Sequence, residues 1–232
     1  QSLPKNELSS YCPISNLNFI SKVLESVLYS RLCSHLNTFH SLSPFQSAYR
    51  KFYSMETALI RIHNDLTLAI DQQRVSALVL LDLSAAFDTI DHNILLSRLN
   101  SCFGITNAAH SLLLSYLSQR SQSVAIDQTA SDTLSLIRGV PQGSVLGPLL
   151  FILYTTPLST VISNSSANHH LYADDTQLFL SFSAASYSHN IAHLETAISS
   201  VANWMSTNFL TLNPSKTMFL IIGLPQQLSK LN

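Results

Sequence analysis

Two adjacent aspartates, Asp174 and Asp175, are the first residues in this chain whose types and spacing could do chemistry. Apolar residues recur at alternate positions on both sides of the pair: Leu171 and Ala173 before it, and Leu178, Leu180 and Phe182 after it. This alternation predicts a β-hairpin with an acidic tip. Neighbouring anions repel each other unless they are solvated or offset by a cation. Taken alone, the pair also fits an ordinary solvated turn.

A third carboxylate, Asp82, follows a continuously apolar run that begins at Ala77. Such a run is typical of a fully buried strand. A carboxylate at the end of a buried strand needs a partner, a metal or open water. If the two strands are neighbours in one sheet, Asp82 meets the acidic pair. Several carboxylates around hard divalent cations form a two-metal phosphoryl-transfer site.

Between these carboxylates lies a glycine-rich segment, residues 138–151. Gly139, Gly143 and Gly147, three of the chain's five glycines, lie just before or within the start of an apolar run that predicts a helix. Glycine lets backbone approach a ligand closely, and the start of a helix favours phosphate. A tight turn into a helix is the alternative interpretation of this segment.

In this order and spacing, the three stretches resemble motifs A, B and C of reverse transcriptases. The sequence around them is similar to that of non-LTR (LINE-type) retrotransposons in particular. The blocks that carry this resemblance are residues 11–15, 45–50, 82–92, 139–151, 172–179 and 212–217. They cover nearly the whole chain.

The resemblance implies an α+β chain with the polymerase right-hand fold. It assigns a helical fingers region to residues 1–75 and a palm to residues 76–223, with a small, mostly antiparallel sheet flanked by helices. Residues from about 91 to 138 would be inserted fingers-side helices and a hairpin. Residues 224–232 would precede the primer grip and thumb. We therefore expect the thumb and the endonuclease region of a parent polyprotein to be missing from this chain.

The reaction that the resemblance implies is RNA-directed DNA polymerisation. Deoxynucleoside triphosphates would be added to a DNA primer on an RNA template, with two Mg²⁺ ions, or Mn²⁺ in their place. The metal ligands would be Asp82, Asp174 and Asp175. Lys216, in a stretch similar to motif D, would protonate the departing pyrophosphate. A plain surface lysine is the alternative for that residue.

Other residues would contact the nucleotide or the template. By resemblance, Phe87 is the steric gate that disfavours a 2′-hydroxyl, although a core phenylalanine would fit the same position. Gln142 would touch the nascent base pair or the incoming nucleotide, and Gly143 would leave room for it. Arg50 and Lys51 are weaker candidates for the template backbone, because a solvated charged loop fits them equally well.

Composition favours a globular chain but gives weak support to nucleic-acid binding. Hydrophobic residues are 46% of the 232 and charged residues 11%, which excludes a disordered chain. A protein that binds the phosphates of a nucleic acid usually carries an excess of basic residues, and this chain has a net charge of −1. Cys12 stands where the family usually has an arginine, and cysteine cannot clamp a triphosphate. Two alternatives therefore stay open: a non-catalytic relic that binds nucleic acid or protein, and a pseudogene product without a selected role.

The cysteines and the hydropathy bear on the compartment. The chain has three cysteines without metal-ligand spacing, which predicts a reducing compartment and no disulfide framework. No apolar run reaches the about 18 residues of a membrane span, and no signal peptide is recognisable. The resemblance implies an intracellular location, in the nucleus or the cytoplasm.

Helical periodicity predicts the elements that position these residues. Apolar stripes predict packed helices over residues 15–37 (Leu17, Ile20, Leu24, Leu28, Leu32) and 55–70 (Met55, Leu59, Ile62, Leu66, Ile70). Asp91 is predicted to cap a helix, and a further helix follows over 106–117. Alternation over 123–127 and 133–137 predicts a hairpin.

The second half of the chain begins with a buried helix that is predicted from 145 to about 162, in which Pro157 predicts a kink or an end. An amphipathic helix over 191–205 should pack on the back of the sheet. A turn at Asn213 and an apolar strand follow it.

Overall fold

The computed structural model describes residues 14–126 and 129–231, which alternate between helices and short strands. The helices are α1 (Phe19–Thr38), α2 (Met55–Asp71), α3 (His92–Ser101), α4 (Asn107–Leu117), α5 (Gly147–Asn164), α6 (Tyr187–Thr207) and α7 (Pro225–Leu228). The strands are β1 (Val75–Leu81), β2 (Leu83–Ser84), β3 (Arg120–Gln122), β4 (Ala125–Ile126), β5 (Thr129–Ala130), β6 (Leu134–Leu136), β7 (Asn168–Tyr172), β8 (Asp175–Phe182), β9 (Thr211–Leu212) and β10 (Met218–Ile222). Short 3₁₀ turns span Ala86–Asp88 and Ala184–Ser186. This mixture confirms the predicted α+β class.

The central sheet has four strands in the order β10-β1-β8-β7, and every neighbouring pair is antiparallel. Nearly every residue of β1 is buried, as its continuous apolar run predicts. At the last rung between β1 and β8, Leu81 pairs with Thr176. Asp82 and the turn that precedes β8 therefore share one end of the sheet, as the sequence predicts for two neighbouring strands.

Helices α5 and α6 cover one face of this sheet. The side chains of Val75, Ala77, Val79 and Leu81 point into the core cluster that contains most of α5. Helix α5 is buried on nearly all sides, which confirms the prediction from its apolar run. The helix continues past Pro157 to Asn164, so the predicted alternative of a helix end there is wrong. Packing on both sides of α5 outweighs the one backbone hydrogen bond that proline removes.

The face on which α1 packs differs from the predicted stripe. Ile20 is 66% exposed and Leu24 is 61% exposed, so the predicted burial of these two residues is wrong. The buried side runs through Glu25, Leu32 and Leu36 instead. The helix is rotated toward Glu25 because that carboxylate finds hydrogen-bond donors inside the fold, which apolar periodicity does not reveal.

Helix α2 matches its prediction in extent and only in part in its packing face. Ser54 and Thr57 form a capping box that begins the helix. Ile62 is buried as expected, but Met55 and Leu59 are each 55% exposed, so their predicted burial is wrong. The helix packs through its small residues instead, since Ala58 and Ala69 are buried.

The predicted hairpin after α4 exists, but its strands have different bounds. Strand β3 pairs with β6 and β4 pairs with β5, so the ladder starts at Arg120 and is interrupted before Ala125. The first strand of the hairpin therefore begins before the predicted strand over 123–127, and Asp127 lies outside the described residues.

Helices α3, α4 and α6 and strand β10 lie where the sequence predicts them. Asp91 caps α3, accepting from the N–H groups of Asn93 and Ile94.

Among residues 14–126 and 129–231, no helix combines the length and apolarity that crossing a bilayer requires.

Cys12, the proposed departure from the family's arginine, lies outside the described residues.

Candidate active site

The acidic edge, which we define as Asp82, Asp174 and Asp175, lies at one end of the central sheet. Strands β7 and β8 are joined by the two-residue turn Ala173–Asp174, which Tyr172 and Asp175 close as a pair. Ala173 takes a left-handed conformation, with φ 55°, at the first position of this turn. The sheet register therefore places both aspartates of the hairpin beside the residue that follows β1.

Charges along the acidic edge interact with one another. The pKa of Asp175 is raised, first by partial burial and then by the negative charges of Asp174 and Asp82. Lys216 opposes this shift. Burial is the larger cause of this shift, and repulsion by the two neighbouring carboxylates adds to it; a cation would relieve that repulsion.

Lys216 is the cation that this edge already holds. Its Nζ lies 2.7 Å from Oδ2 of Asp82, and its side chain stays 65% exposed. The pKa of Lys216 is raised, chiefly by its hydrogen bond with Asp82. The turn at Asn213 brings the lysine there, because the Asn213 N–H donates to the Asp82 carbonyl oxygen over 2.9 Å. The structure thus joins two residues that the sequence assigned to separate motifs.

The donor set suits a hard divalent cation in its chemistry, since all three groups of the acidic edge are carboxylates. Their mutual repulsion also favours a bound positive charge. In the described part of the chain, however, no three His, Cys, Asp or Glu side chains are arranged closely enough to hold a metal ion. The Lys216 ammonium lies against Oδ2 of Asp82, so a metal on that oxygen would have to replace it.

The glycine-rich segment packs directly on the turn that follows Asp82. The N–H of Val140 donates to the carbonyl oxygen of Phe87 over 2.9 Å, and that of Gly139 donates to Ile90 over 2.8 Å. A Cβ at Gly139 would lie 2.9 Å from the Asp88 carbonyl oxygen, and φ there is 84°. Only glycine fits such an approach, so this residue fixes the two motifs against each other.

The candidate nucleotide residues lie along these two segments. The ring of Phe87 stacks on buried Phe151 with centroids 5.1 Å apart, and Phe87 itself is only partly buried. The carbonyl oxygen of Gln142 accepts from the N–H of Ser15 over 2.9 Å. Gly143 is exposed, with φ 91°. Phe87 therefore has both a packed and an open side, as a steric gate would need.

The two candidate template residues differ in their surroundings. Arg50 donates to the carbonyl oxygens of Ser43 and Gln46 over 2.8 and 2.9 Å, and it lies over the ring of Tyr53. Its guanidinium is thus largely engaged in holding its own loop. Lys51 is exposed, and its ammonium lies 4.8 Å from the ring centroid of Phe52.

Gln46 supports the acidic turn, a role that reasoning from charged residues missed. Its side chain is buried, and its Oε1 accepts from the N–H groups of Ala48 and Ala173 over 3.0 and 3.3 Å. The backbone on either side of it pairs with Leu171 of β7. The available signal was its place in the block at residues 45–50, which carried the resemblance and in which only Arg50 was a candidate for a contact.

Comparison with known families and proteins gives one consistent result. The family described as "Reverse transcriptase (RNA-dependent DNA polymerase)" matches residues 3–229. A probable RNA-directed DNA polymerase from transposon BS of Drosophila melanogaster is 29% identical over 220 residues, which cover 93% of this chain and 24% of that protein. A retrovirus-related Pol polyprotein from the type-1 retrotransposable element R2 of Popillia japonica is 23% identical and covers 93% of this chain and 30% of its own length.

The fold is similar to that of solved telomerase structures. An apo telomerase from Candida tropicalis, truncated from its C-terminal domain, superposes with a TM-score of 0.65 at 17% identity, over 90% of this chain and 45% of that one. This likeness confirms the predicted polymerase right-hand fold. The chain spans about a quarter of the length of the transposon BS protein. The family match, over almost every residue, shows that this chain belongs to the reverse transcriptase family, as its motifs predict.

Proposed function

We propose that this chain is the fingers and palm portion of a retrotransposon RNA-directed DNA polymerase. It would extend the 3′-hydroxyl of a DNA primer with deoxynucleoside triphosphates on an RNA template. The observation that carries the proposal is the meeting of Asp82 with the acidic turn at one end of one sheet. The fingers would comprise residues 1–75 and the palm residues 76–223, and residues 224–232 would lead toward a primer grip and thumb.

The acidic edge would hold the metal ions. Reverse transcriptases generally use divalent metal ions, and we propose two Mg²⁺ here, with Mn²⁺ as a substitute. When bound, such ions lower the pKa of the primer hydroxyl and neutralise charge on the triphosphate. Asp82 and Asp174 are the ligands that we propose first, and Asp175 completes the set. The negative charges of Asp174 and Asp82, which add to the effect of burial in raising the pKa of Asp175, support this role.

Lys216 would act as the proton donor to the leaving pyrophosphate. Its ammonium already lies 2.7 Å from a proposed metal ligand, and it is exposed to an arriving substrate. A lysine carries a proton at neutral pH, and the raised pKa of Lys216, caused chiefly by its hydrogen bond with Asp82, favours that form further. A positioned acid of this kind contributes roughly 100-fold or more to a rate.

The nucleotide and the template would lie against the remaining candidates. Phe87 would contact the sugar with its open side, while Phe151 supports the ring from behind. Gln142 and Gly143 would line the space for the nascent base pair. Lys51 would contact the template backbone, and Arg50 would mainly shape the loop that presents it.

Primer extension on an RNA template with Mg²⁺ tests the proposal. We expect extension by the intact chain and a loss of roughly 1,000-fold or more in Asp174→Asn, since several kcal/mol of charge stabilisation disappear. Asp71→Asn is the matched control, because Asp71 is exposed and precedes the opposite end of β1. Circular dichroism should show both variants folded.

The same assay separates the competing interpretations. Full extension by Asp174→Asn would disprove the assignment of the acidic edge. Salt-dependent RNA binding without extension, in the chain and in a Cys12→Arg version, would indicate a binding module instead of a polymerase.

A further inference from the structure

Glu25 is a carboxylate that the proposed reaction does not use. It lies on α1 with 1% of its surface exposed, and among the described residues it is the one acidic side chain that is buried. A buried carboxylate destabilises a fold unless it is paired or hydrogen-bonded. Its partners therefore indicate why it is tolerated there.

Both oxygens of Glu25 accept hydrogen bonds from distant parts of the chain. Oε2 accepts from the backbone N–H groups of Val145 and Leu146 over 2.6 and 3.2 Å. Oε1 accepts from the Tyr116 hydroxyl over 3.2 Å and from Ser21 over 3.4 Å. The pKa of Tyr116 is raised to about 12, first by burial and then by the charge of Glu25, so this hydroxyl keeps its proton and donates. The carboxylate is thus fully satisfied.

The N–H groups that Glu25 binds lie at the start of α5. Leu146, the residue that caps this helix, has no side-chain oxygen. Ser144 Oγ accepts from the N–H of Gly147 over 2.9 Å, so Glu25 and Ser144 together satisfy three successive N–H groups. A negative charge at this position also interacts favourably with the helix dipole. A helix of the fingers region thereby supplies the cap that the palm helix lacks.

The segment that Glu25 fixes is the one that carries the candidate nucleotide residues. At one end, the N–H of Val140 donates to the carbonyl oxygen of Phe87 and that of Gly139 donates to that of Ile90. At the other end, Glu25 holds the backbone directly after Gly143 and Ser144. Gln142 and Gly143 lie between these two attachments.

We propose that Glu25 is a positioning residue that holds Gln142 and Gly143 in the geometry that accepts the incoming nucleotide. This inference rests on the proposed polymerase function. The carboxylate acts through the backbone and touches neither nucleotide nor metal. Without it, the N–H groups of Val145 and Leu146 would lose their acceptor, and the loop would leave that geometry. When a group that positions a substrate is displaced by about 1 Å, the reaction rate can fall by about 100-fold.

The test compares Glu25→Ala and Glu25→Gln with the control Glu195→Gln, in which the same chemical change is made on the exposed surface of α6. Hydrogen exchange at the amides of Val145 and Leu146 reports the loop directly. We expect exchange to be about 10-fold faster or more in Glu25→Ala, and an intermediate effect in Glu25→Gln, whose amide oxygen can still accept. Glu195→Gln should match the unchanged chain.

Steady-state extension supplies a readout that a merely structural role would not change. A positioning role predicts that KM for the deoxynucleoside triphosphate rises by about 10-fold in Glu25→Ala, with a smaller change in kcat. A general loss of folded protein would lower kcat and leave KM unchanged. Glu25→Gln, which keeps one acceptor, should restore most of the KM.

Each result decides the inference. Unchanged exchange at Val145 and Leu146 would overturn it, and so would faster exchange with an unchanged KM. If Glu25→Ala does not fold, the intermediate effect of Glu25→Gln against Glu195→Gln remains the deciding measurement. If the unchanged chain extends no primer, the proposed function fails, and the exchange data alone show whether Glu25 holds the loop.

Discussion

The acidic edge and the Glu25 site use the same functional group in opposite ways. At the acidic edge, Asp82, Asp174 and Asp175 lie near one another, repel each other and remain accessible to solvent. Glu25 is alone, buried, and accepts hydrogen bonds from two backbone N–H groups and two hydroxyls. One arrangement leaves an unbalanced charge at the surface, and the other balances a charge inside the protein.

This difference separates carboxylates that can bind a ligand from carboxylates that hold the protein's own backbone in place. A carboxylate that is already satisfied by protein donors has little free energy left to offer to a ligand. Carboxylates that repel each other gain free energy when a cation arrives. We therefore expect substitutions at the two sites to affect stability in opposite directions, although both should impair polymerisation.

The largest difference should appear in equilibrium unfolding by denaturant. Glu25→Ala should lower the free energy of unfolding by about 3 kcal/mol, because the buried N–H of Leu146 and the partly buried N–H of Val145 lose a charged acceptor. Asp175→Ala should leave it unchanged or raise it, because a repelled charge is removed. Glu195→Ala, on an exposed helix surface, serves as the control. Equal losses in the Glu25 and Asp175 variants would contradict the comparison.

A smaller effect is expected for Gln46, the buried glutamine that supports the acidic turn. Gln46→Leu should lower the free energy of unfolding by about 2 kcal/mol, because the N–H groups of Ala48 and Ala173 lose their acceptor.

Gln177 offers a matched control for this measurement. Its Oε1 is buried and has no protein partner within the described residues, so Gln177→Leu should be neutral or stabilising. Comparable destabilisation by the two leucine variants would show that Gln46 does not depend on its hydrogen bonds.

The smallest effect concerns the pH dependence of stability. The pKa of Asp175 is raised above its ordinary value of 3.8, so the folded state binds this proton more tightly than the unfolded chain. The resulting stability is complete below pH 3.8 and is lost as the pH rises through the raised pKa. Asp175→Asn should abolish this loss, as measured by denaturant midpoints across the acid range.

Buried His169 makes the comparison with the variant necessary. Its pKa is lowered to about 4, chiefly by burial, and its Nε2 lies 2.7 Å from Ser159 Oγ. Protonation of the unfolded chain therefore lowers stability as the pH falls from 6.5 toward 4, opposite to the Asp175 effect. Only the difference between the unchanged chain and Asp175→Asn isolates the aspartate. A zero difference at every pH would contradict the raised pKa of Asp175.

The sequence alone predicted the parts of the fold that local pattern controls. Alternation around Asp174 predicted the hairpin, and the continuous apolar run before Asp82 predicted its buried neighbour strand. Both patterns are reliable because a strand exposes alternate residues to opposite faces, and a central strand is buried on both. The order of the motifs predicted the family, which the comparison confirmed.

Sequence periodicity predicted less well which faces of the first helices are buried. An apolar stripe shows that a helix has a buried side, but Ile20 and Leu24 are exposed because α1 turns Glu25 inward. The preference of a carboxylate for backbone N–H groups 120 residues away leaves no periodic trace in the sequence.

The sequence by itself determined which residues could do the chemistry and on which strands and turns they lie. Only the tertiary structure decided which groups meet: Lys216 with Asp82, Gln46 with the acidic turn, and Glu25 with the start of α5. Secondary structure follows from steric and hydrophobic preferences of neighbouring residues, so it can be predicted locally. Contacts between polar groups far apart in the chain depend on how the elements pack, because only packing brings a buried donor to its acceptor.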